Sequence, residues 1–418
     1  MSNIMQYRRL PGPSSGDAEM QTVADLLPVE ANKITRFDEA QIQKDAADTR
    51  IIVHHRYPDL VKNFLDHKRE HGSDIERHLY KDDASWTWQQ QVRRLVEKRP
   101  LMFMGGRDMT ILRDGTSVGS LFREWDRVGT DAEVSSRWLK LKDYLSYDEI
   151  MLGSLLGVSG PSYFINDGNR YNNGQPMREG TFIPRGIVVG LVGARYERDD
   201  RMDSVFCKPA VRSPKQHPDL TRVFTDFFGK RPNPSRPFNL SMYKARMKIT
   251  IELLLCEAND RAKAAGKKAY VHVVGLGLGV WSPPGVKKVP EAYIEGFMDV
   301  IEDDENDDDK YANIGTIDFS YITVPQSVRN DMQAVAAKAD MDAIFSMRSP
   351  GALLPAHKQN ELLIVSYAWD GNSFPGNEYW GGSLSASGDP AQACMSTIAE
   401  LHNPILNAGF LDNIKTLP

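Results

Sequence analysis

Apolar positions along this chain keep two different rhythms, and the change between them falls near residue 160. Up to about residue 48 no period is sustained, and Pro11, Pro13, Ser14, Ser15 and Gly16 punctuate a polar segment, so 1–48 is expected as a flexible tail. From Ile51 to Lys98 the charge-rich pattern predicts helix, with Ser85 capping the amphipathic stretch 85–98. Two further helical patterns, near 117–127 and 146–156, complete a mainly helical extension over 49–160. PSYFINDGNRYNNGQ (161–175) then reads as a long loop, a kind of segment that tends to carry function. Beyond it, GIVVGLVGARYE (186–197) predicts a strand. Ser241 is placed to cap a long helix whose apolar positions Met242, Ala245, Ile249, Leu253 and Cys256 follow at threes and fours, with Gly266 closing it. Strands are expected at 268–274, 313–320, 342–346 and 361–368, alternating with helices at 289–301, 326–338 and 389–400. That alternation predicts an α/β core over 161–418, its mostly parallel or mixed sheet carrying helices on both faces.

Composition narrows the classes. With 418 residues, 41% hydrophobic and 26% charged, the chain can bury a large core, and a net charge of −5 offers no basic excess for a nucleic acid. Cys207, Cys256 and Cys394 are far apart and odd in number, which fits a reducing compartment and supplies no zinc spacing. No apolar run has the length of a signal peptide's core followed by a cleavage site, or of a membrane span, so a cytoplasmic protein is expected, with secretion by a signal-less route left open, and no metal or cofactor is called for. The acidic run 302–310 lacks the glycine turn and spaced ligands of a calcium loop and reads as a solvated connection.

In parallel sheets, ligands gather outside the carboxyl ends of strands, so the residues just after each strand matter most. AYVHVVGLGLGVW runs from a strand into Gly275, Gly277 and Gly279. Alternate glycines let backbone amides approach an anion such as a diphosphate, though close packing of the strand exit explains them too. His272 within that strand reads as a core histidine. Asp318 and Phe319 end another strand, where a carboxylate and a ring could take an adenine or simply cap a loop. The densest cluster follows the strand at 361–368: Trp369, Asp370, Asn372, Asn377, Glu378, Tyr379, Trp380 and Asp389, in a glycine-rich loop that also holds Ser385, Ala386, Ser387 and Gly388. Asp389 with Pro390 also suits a helix start. Arg195 and Glu197 leave a further strand end, the 161–175 loop offers Asn166, Asp167, Asn169 and Asn173, and MFMGGRD (102–108) is a weaker strand exit of the same kind.

The run YAWDGNSFPGNEYWGGSLSASGDPAQAC, with GIVVGLVGARYE and VHVVGLGLGVW, resembles the MavL-like family of macrodomain-like ADP-ribosylhydrolases, which has Legionella effector and eukaryotic members, over about residues 90–415. The resemblance implies a macrodomain-like fold and an enzyme that binds ADP-ribose and cleaves its distal ribose from a modified protein side chain, arginine in the first place. Ubiquitin is among the substrates it suggests, and no nucleic acid, membrane or cofactor is implied. It places Asp370, Glu378 and Asp389 at the family's acidic positions. Glu378 and Asp389 would manage water and proton, and Asp370 with Asn372 and Asn377 would hold the distal ribose. The backbone of Gly275, Leu276, Gly277, Leu278, Gly279 and Val280, and of Ser385 to Gly388, would cradle the diphosphate beside Trp369. Trp281, Phe319 or Tyr379 would stack on adenine. The order GLGLG, Asp318-Phe319, AWDGN is the cycle of ordinary macrodomains begun elsewhere, as in a circular permutation, while their Asn-Ala-Ala-Asn and triple-glycine signatures are absent. Two alternatives stand beside this reading: a non-catalytic reader of ADP-ribose, and a poly(ADP-ribose) glycohydrolase, which ranks lower because the loop has no Glu-Glu pair.

Overall fold

The computed structural model describes residues 17–81, 86–104, 109–208, 214–233, 235–303, 310–385 and 388–417. Eight strands build one sheet: β1 (Arg50–His54), β5 (Leu156–Tyr163), β6 (Arg185–Leu191), β7 (Ala269–Val273), β8 (Ile314–Ser320), β9 (Asp342–Ser346), β10 (Leu362–Ala368) and β11 (Ile414–Leu417). Between β1 and β5 in sequence, β2 (Met102–Met104), β3 (Met109–Ile111) and β4 (Ser117–Val118) form a small antiparallel sheet. The large sheet runs β11-β1-β5-β6-β10-β7-β8-β9, with β5 antiparallel to both neighbours and every other pair parallel. It is the mixed α/β sheet the alternating pattern predicted. β10 sits near its centre, and its run LLIVSYA is apolar almost throughout because a central parallel strand is covered on both faces.

Helices cover both faces. α1 (Asp17–Asp25), α2 (Glu39–Asp48), α3 (Tyr57–His71), α4 (Trp88–Glu97) and α5 (Tyr147–Gly153) come early in the chain. α6 (Leu240–Ala264), α7 (Val289–Glu302), α8 (Gln326–Lys338) and α9 (Asp389–Met395) follow. α6 lies across the sheet, touching strands from β11 to β8, and Gly266 ends it at φ +62°, where a side chain would be strained.

Five boundaries differ from expectation, the simplest being that Ser241, expected to cap the long helix, lies inside α6, whose N-cap is Asn239. Within the expected tail 1–48, residues 17–48 are docked: Met20, Val23, Leu27, Ile34, Ile42 and Ala46 are buried, and Asn32 donates to the carbonyls of Ala393 (2.6 Å) and Ser396 (2.7 Å). Nothing local signals this, because the partners lie more than 360 residues away. The division at 160 also fails: RIIVH, taken as helix, is β1, and residue 160 lies inside β5, so the sheet draws on both sides of the expected boundary. A three-residue apolar run carries too little periodicity to separate strand from buried helix. Ser85 lies outside the described residues, and α4 is capped by Thr87, whose side chain accepts from the Gln90 amide. The expected helix 389–400 breaks at Ser396, which bridges to Phe164; its N-cap is Gly388 rather than Asp389.

Candidate active site

β6, β10 and β7 are adjacent and parallel, so the loops leaving their carboxyl ends converge on one edge. Two of these exits touch through bare backbone. A Cβ on Gly193 would come within 2.4 Å of the Gly277 nitrogen, and one on Gly277 within 2.7 Å of the Ala194 carbonyl oxygen, while Gly277 itself sits at φ +74°. The first task of these glycines is therefore the packing of two strand exits, and the backbone of Gly279 and Val280 beyond them is open to solvent.

The loop after β10 folds on its own carboxylates. Gly371 (φ +71°), Gly376 (φ +106°) and Asn377 (φ +33°) turn the chain sharply, bringing residue 376 back to Asp389. Asp389 is buried; its Oδ1 accepts the Gly376 amide at 2.7 Å and its Oδ2 faces the Asp370 amide at 3.5 Å. Asp370 Oδ2 accepts from the Asn377 side-chain amide, and Asn377 in turn accepts the Phe103 amide at 2.9 Å, tying the loop to β2. Three acids this close cannot all ionise cheaply. Burial, and next the charge of Glu378, raise Asp370. Burial and then Asp370 push Asp389 well above the carboxylate range. Burial raises Glu378 too, with Glu197 adding to it against the pull of its own amide and Arg195.

A buried guanidinium stands beside them. Arg195, on the exit of β6, donates to the Asp370 carbonyl (2.8 Å) and to Glu197 Oε2 (2.6 Å), and its guanidinium lies 4.1 Å over the Trp281 ring. Burial pulls its pKa down, but Glu197 and Asp370 outweigh this and hold it above the usual value. Its amide is fixed by Asp203 (2.9 Å), which pairs with Arg246 of α6 (3.1 Å), both side chains fully buried. Beside this group a narrow crevice is lined by residues that include Phe103, Tyr147, Arg195, Glu197, Arg198 and Asn372. Among the described residues no cluster has the geometry of a metal site.

A model of the MavL-like ADP-ribosylhydrolase family matches residues 21–217 and 215–416. The chain belongs to this family. Two Drosophila melanogaster relatives are named ADP-ribosylarginine hydrolase: CG3568, 33% identical over 93% of this chain and 81% of its own length, and CG2909, 32% identical over 89% and 79%. This MavL-like protein is thus an ADP-ribosylhydrolase, an enzyme acting on an N-glycosyl bond. The match also begins well before residue 90, where the sequence resemblance was expected to start.

The hydrolase brings Asp370, Glu378, Asp389, Asn372 and Asn377 together as the cluster predicted, but not every expected role fits the geometry. Phe319 cannot stack on a ligand as it stands: it is fully buried between Phe345 and Phe297. Asp318 is also buried, accepting from the Tyr270 hydroxyl at 2.8 Å. Tyr379 is buried edge-on against Trp380, and Trp281 gives a face to Arg195. Trp369 packs under Arg99, and the Leu276 side chain is in the core, leaving only its backbone for a ligand. Period-two patterning could not tell which ring at a strand end points inward. Asn377 holds Asp370 rather than standing free for a ribose, whereas Asn372 faces the crevice with its Oδ1 unpartnered. Ser385 is exposed, Gly388 partly so, and Ala386 and Ser387 lie outside the described residues, as do 105–108 of the MFMGGRD segment. In the 161–175 loop Asn166 is buried and folds on itself, bonding Gln175 and Gly168. His272 is a core residue bonded to the Arg348 carbonyl. The site's buried supports, Asp203 and Arg246, were missed, although an arginine at position 246 on the apolar stripe of Met242 and Ile249 was a readable signal.

Proposed function

We propose that this enzyme releases ADP-ribose from arginine side chains of modified proteins. One observation carries the reading: Glu197, on the crevice wall, and the partly exposed Glu378 lie close enough to interact, a pair of carboxyl groups suited to the guanidinium of a modified arginine. The relatives' names specify the same linkage. Glu378, partly exposed and without the amide clamps of Asp389, is the candidate to take a proton from water as its oxygen bonds to the anomeric carbon of the distal ribose. The bond from that carbon to the guanidino nitrogen breaks with its electron pair going to nitrogen, and the proton is returned there, leaving arginine as the guanidinium. Asn372, its Oδ1 unpartnered on the crevice wall, faces the ribose, and the charge that Glu378 carries stabilises the oxocarbenium-like state, while Asp370, protonated near neutral pH and held by Asn377, orients the loop. Asp389 acts through that loop: it holds the amides of Asp370 and Gly376. The exposed backbone near Gly279 and at Ser385 is left for the diphosphate. Ubiquitin modified at arginine is the protein substrate to try first. The test compares ADP-ribose release from one protein modified at arginine and another modified at serine. Release from arginine is expected to dominate, and turnover of serine-linked ADP-ribose alone refutes the reading.

A further inference from the structure

Glu197, Asp370, Glu378 and Asp389 gather at this edge, where Arg195 pairs with Glu197 and reaches Asp370 only at its backbone carbonyl, while Arg198, also on the crevice wall, is engaged by Asp126 and the Tyr147 hydroxyl. Asp389 is closed off by two amides and Asp370 by Asn377. Glu197 differs from these two. Its side chain is 22% exposed, it lies on the wall of the crevice with Asn372 and Tyr147, and it acts electrostatically on both Asp370 and Glu378. Arg195 is not free to leave, because Trp281 covers its face, the Asp370 carbonyl holds one nitrogen, and Asp203 anchors its backbone. It therefore presents Glu197 in a fixed position. A carboxylate can accept several N–H bonds, so one engaged at Oε2 by Arg195 retains capacity toward the crevice.

We propose that Glu197, held by Arg195, is the residue that selects the linkage, receiving the guanidinium of the modified arginine next to Glu378. This rests on the reading of the enzyme as an arginine-specific hydrolase and adds the group that sets the specificity. A planar guanidinium donating to a carboxylate gives a directional, charge-assisted contact that a serine ether oxygen cannot make. Free ADP-ribose lacks the guanidinium and does not use Glu197.

Glu197→Gln keeps the shape and removes the charge. The expected result is a KM for arginine-linked ADP-ribosyl protein raised roughly tenfold to hundredfold, the range of a lost charge-assisted hydrogen bond, with the ADP-ribose dissociation constant by calorimetry within about twofold of wild type. Glu197→Asp, which keeps the charge on a shorter stem, should recover part of the loss. A parallel fall in ADP-ribose affinity would mean that Arg195 had moved and that Glu197 is only a support, which overturns the proposal. So would an unchanged KM in a folded Glu197→Gln protein. The wild-type arm separates the two readings: an enzyme that fails on arginine-linked substrate refutes the arginine assignment itself, whereas normal wild-type turnover with an indifferent Glu197→Gln refutes only the role of Glu197.

Discussion

The ion pair beneath the site offers the sharpest test of how the β6 exit is held. Arg246 is fully buried on α6 and donates to Asp203 (3.1 Å), to the carbonyls of Ser154 (3.1 Å) and Val192 (3.2 Å), and to Thr250 (2.7 Å). Arg246→Met keeps much of the volume but leaves Asp203 without its paired guanidinium, with only the more distant charge of Arg195, and removing one partner of a buried pair costs about 3–5 kcal/mol. With an unfolding entropy of ~2.1 cal/mol/K per residue over 418 residues, each kcal/mol is worth about 1 °C, so the melting temperature should fall by roughly 3–6 °C. Scanning calorimetry at neutral pH measures it. The double variant Asp203→Asn, Arg246→Met removes the stranded charge and should regain more than half of the loss, because most of the cost is the unpaired carboxylate and not the missing contact. A double variant no more stable than Arg246→Met, or a single variant within about 1 °C of wild type, refutes the reasoning.

Other outcomes follow from the same geometry. Glu378→Gln should lower turnover by about 10²-fold or more while ADP-ribose still binds, read as kcat against the calorimetric dissociation constant. Asp370 is pushed up to about 8, above its unfolded value, by burial first and Glu378 next, so the folded protein keeps a proton that the unfolded chain releases near pH 4. Its contribution to stability therefore declines as pH rises from about 4 to 8 and is flat beyond. Asp370→Asn should remove that slope, so melting temperatures of variant relative to wild type should increase from pH 5 to pH 9. Gly193→Ala forces a Cβ to 2.4 Å from the Gly277 backbone; with no flexible side chain to yield, it should cost about 1–3 kcal/mol and weaken ADP-ribose binding, checked by melting and calorimetry.

Much of the second half was legible because its elements are long and periodic. The strands at 314–320 and 362–368 and the helices at 289–302 and 326–338 lie within a residue or so of expectation. The carboxylate cluster was legible for a different reason: Asp370, Glu378 and Asp389 sit on one loop after one strand, so their proximity is short-range along the chain. The first 160 residues were not, since β1 is five residues long and the docking of 17–48 is stabilised by partners near residues 393–400.

The sequence by itself determined the alternation of strand and helix, the loop that carries three acids, and through that loop's motif the family. Only the tertiary structure decided which of these groups can act. Burial turned Phe319 and Tyr379 into core, the amides of Asp370 and Gly376 closed Asp389, and sheet order set the exits of β6, β7 and β10 side by side. That adjacency put Arg195 and Glu197 among carboxylates some 175 residues further along the chain. Side-chain direction and charge coupling depend on distances in space, and a periodic pattern specifies only which face of its own element a residue occupies.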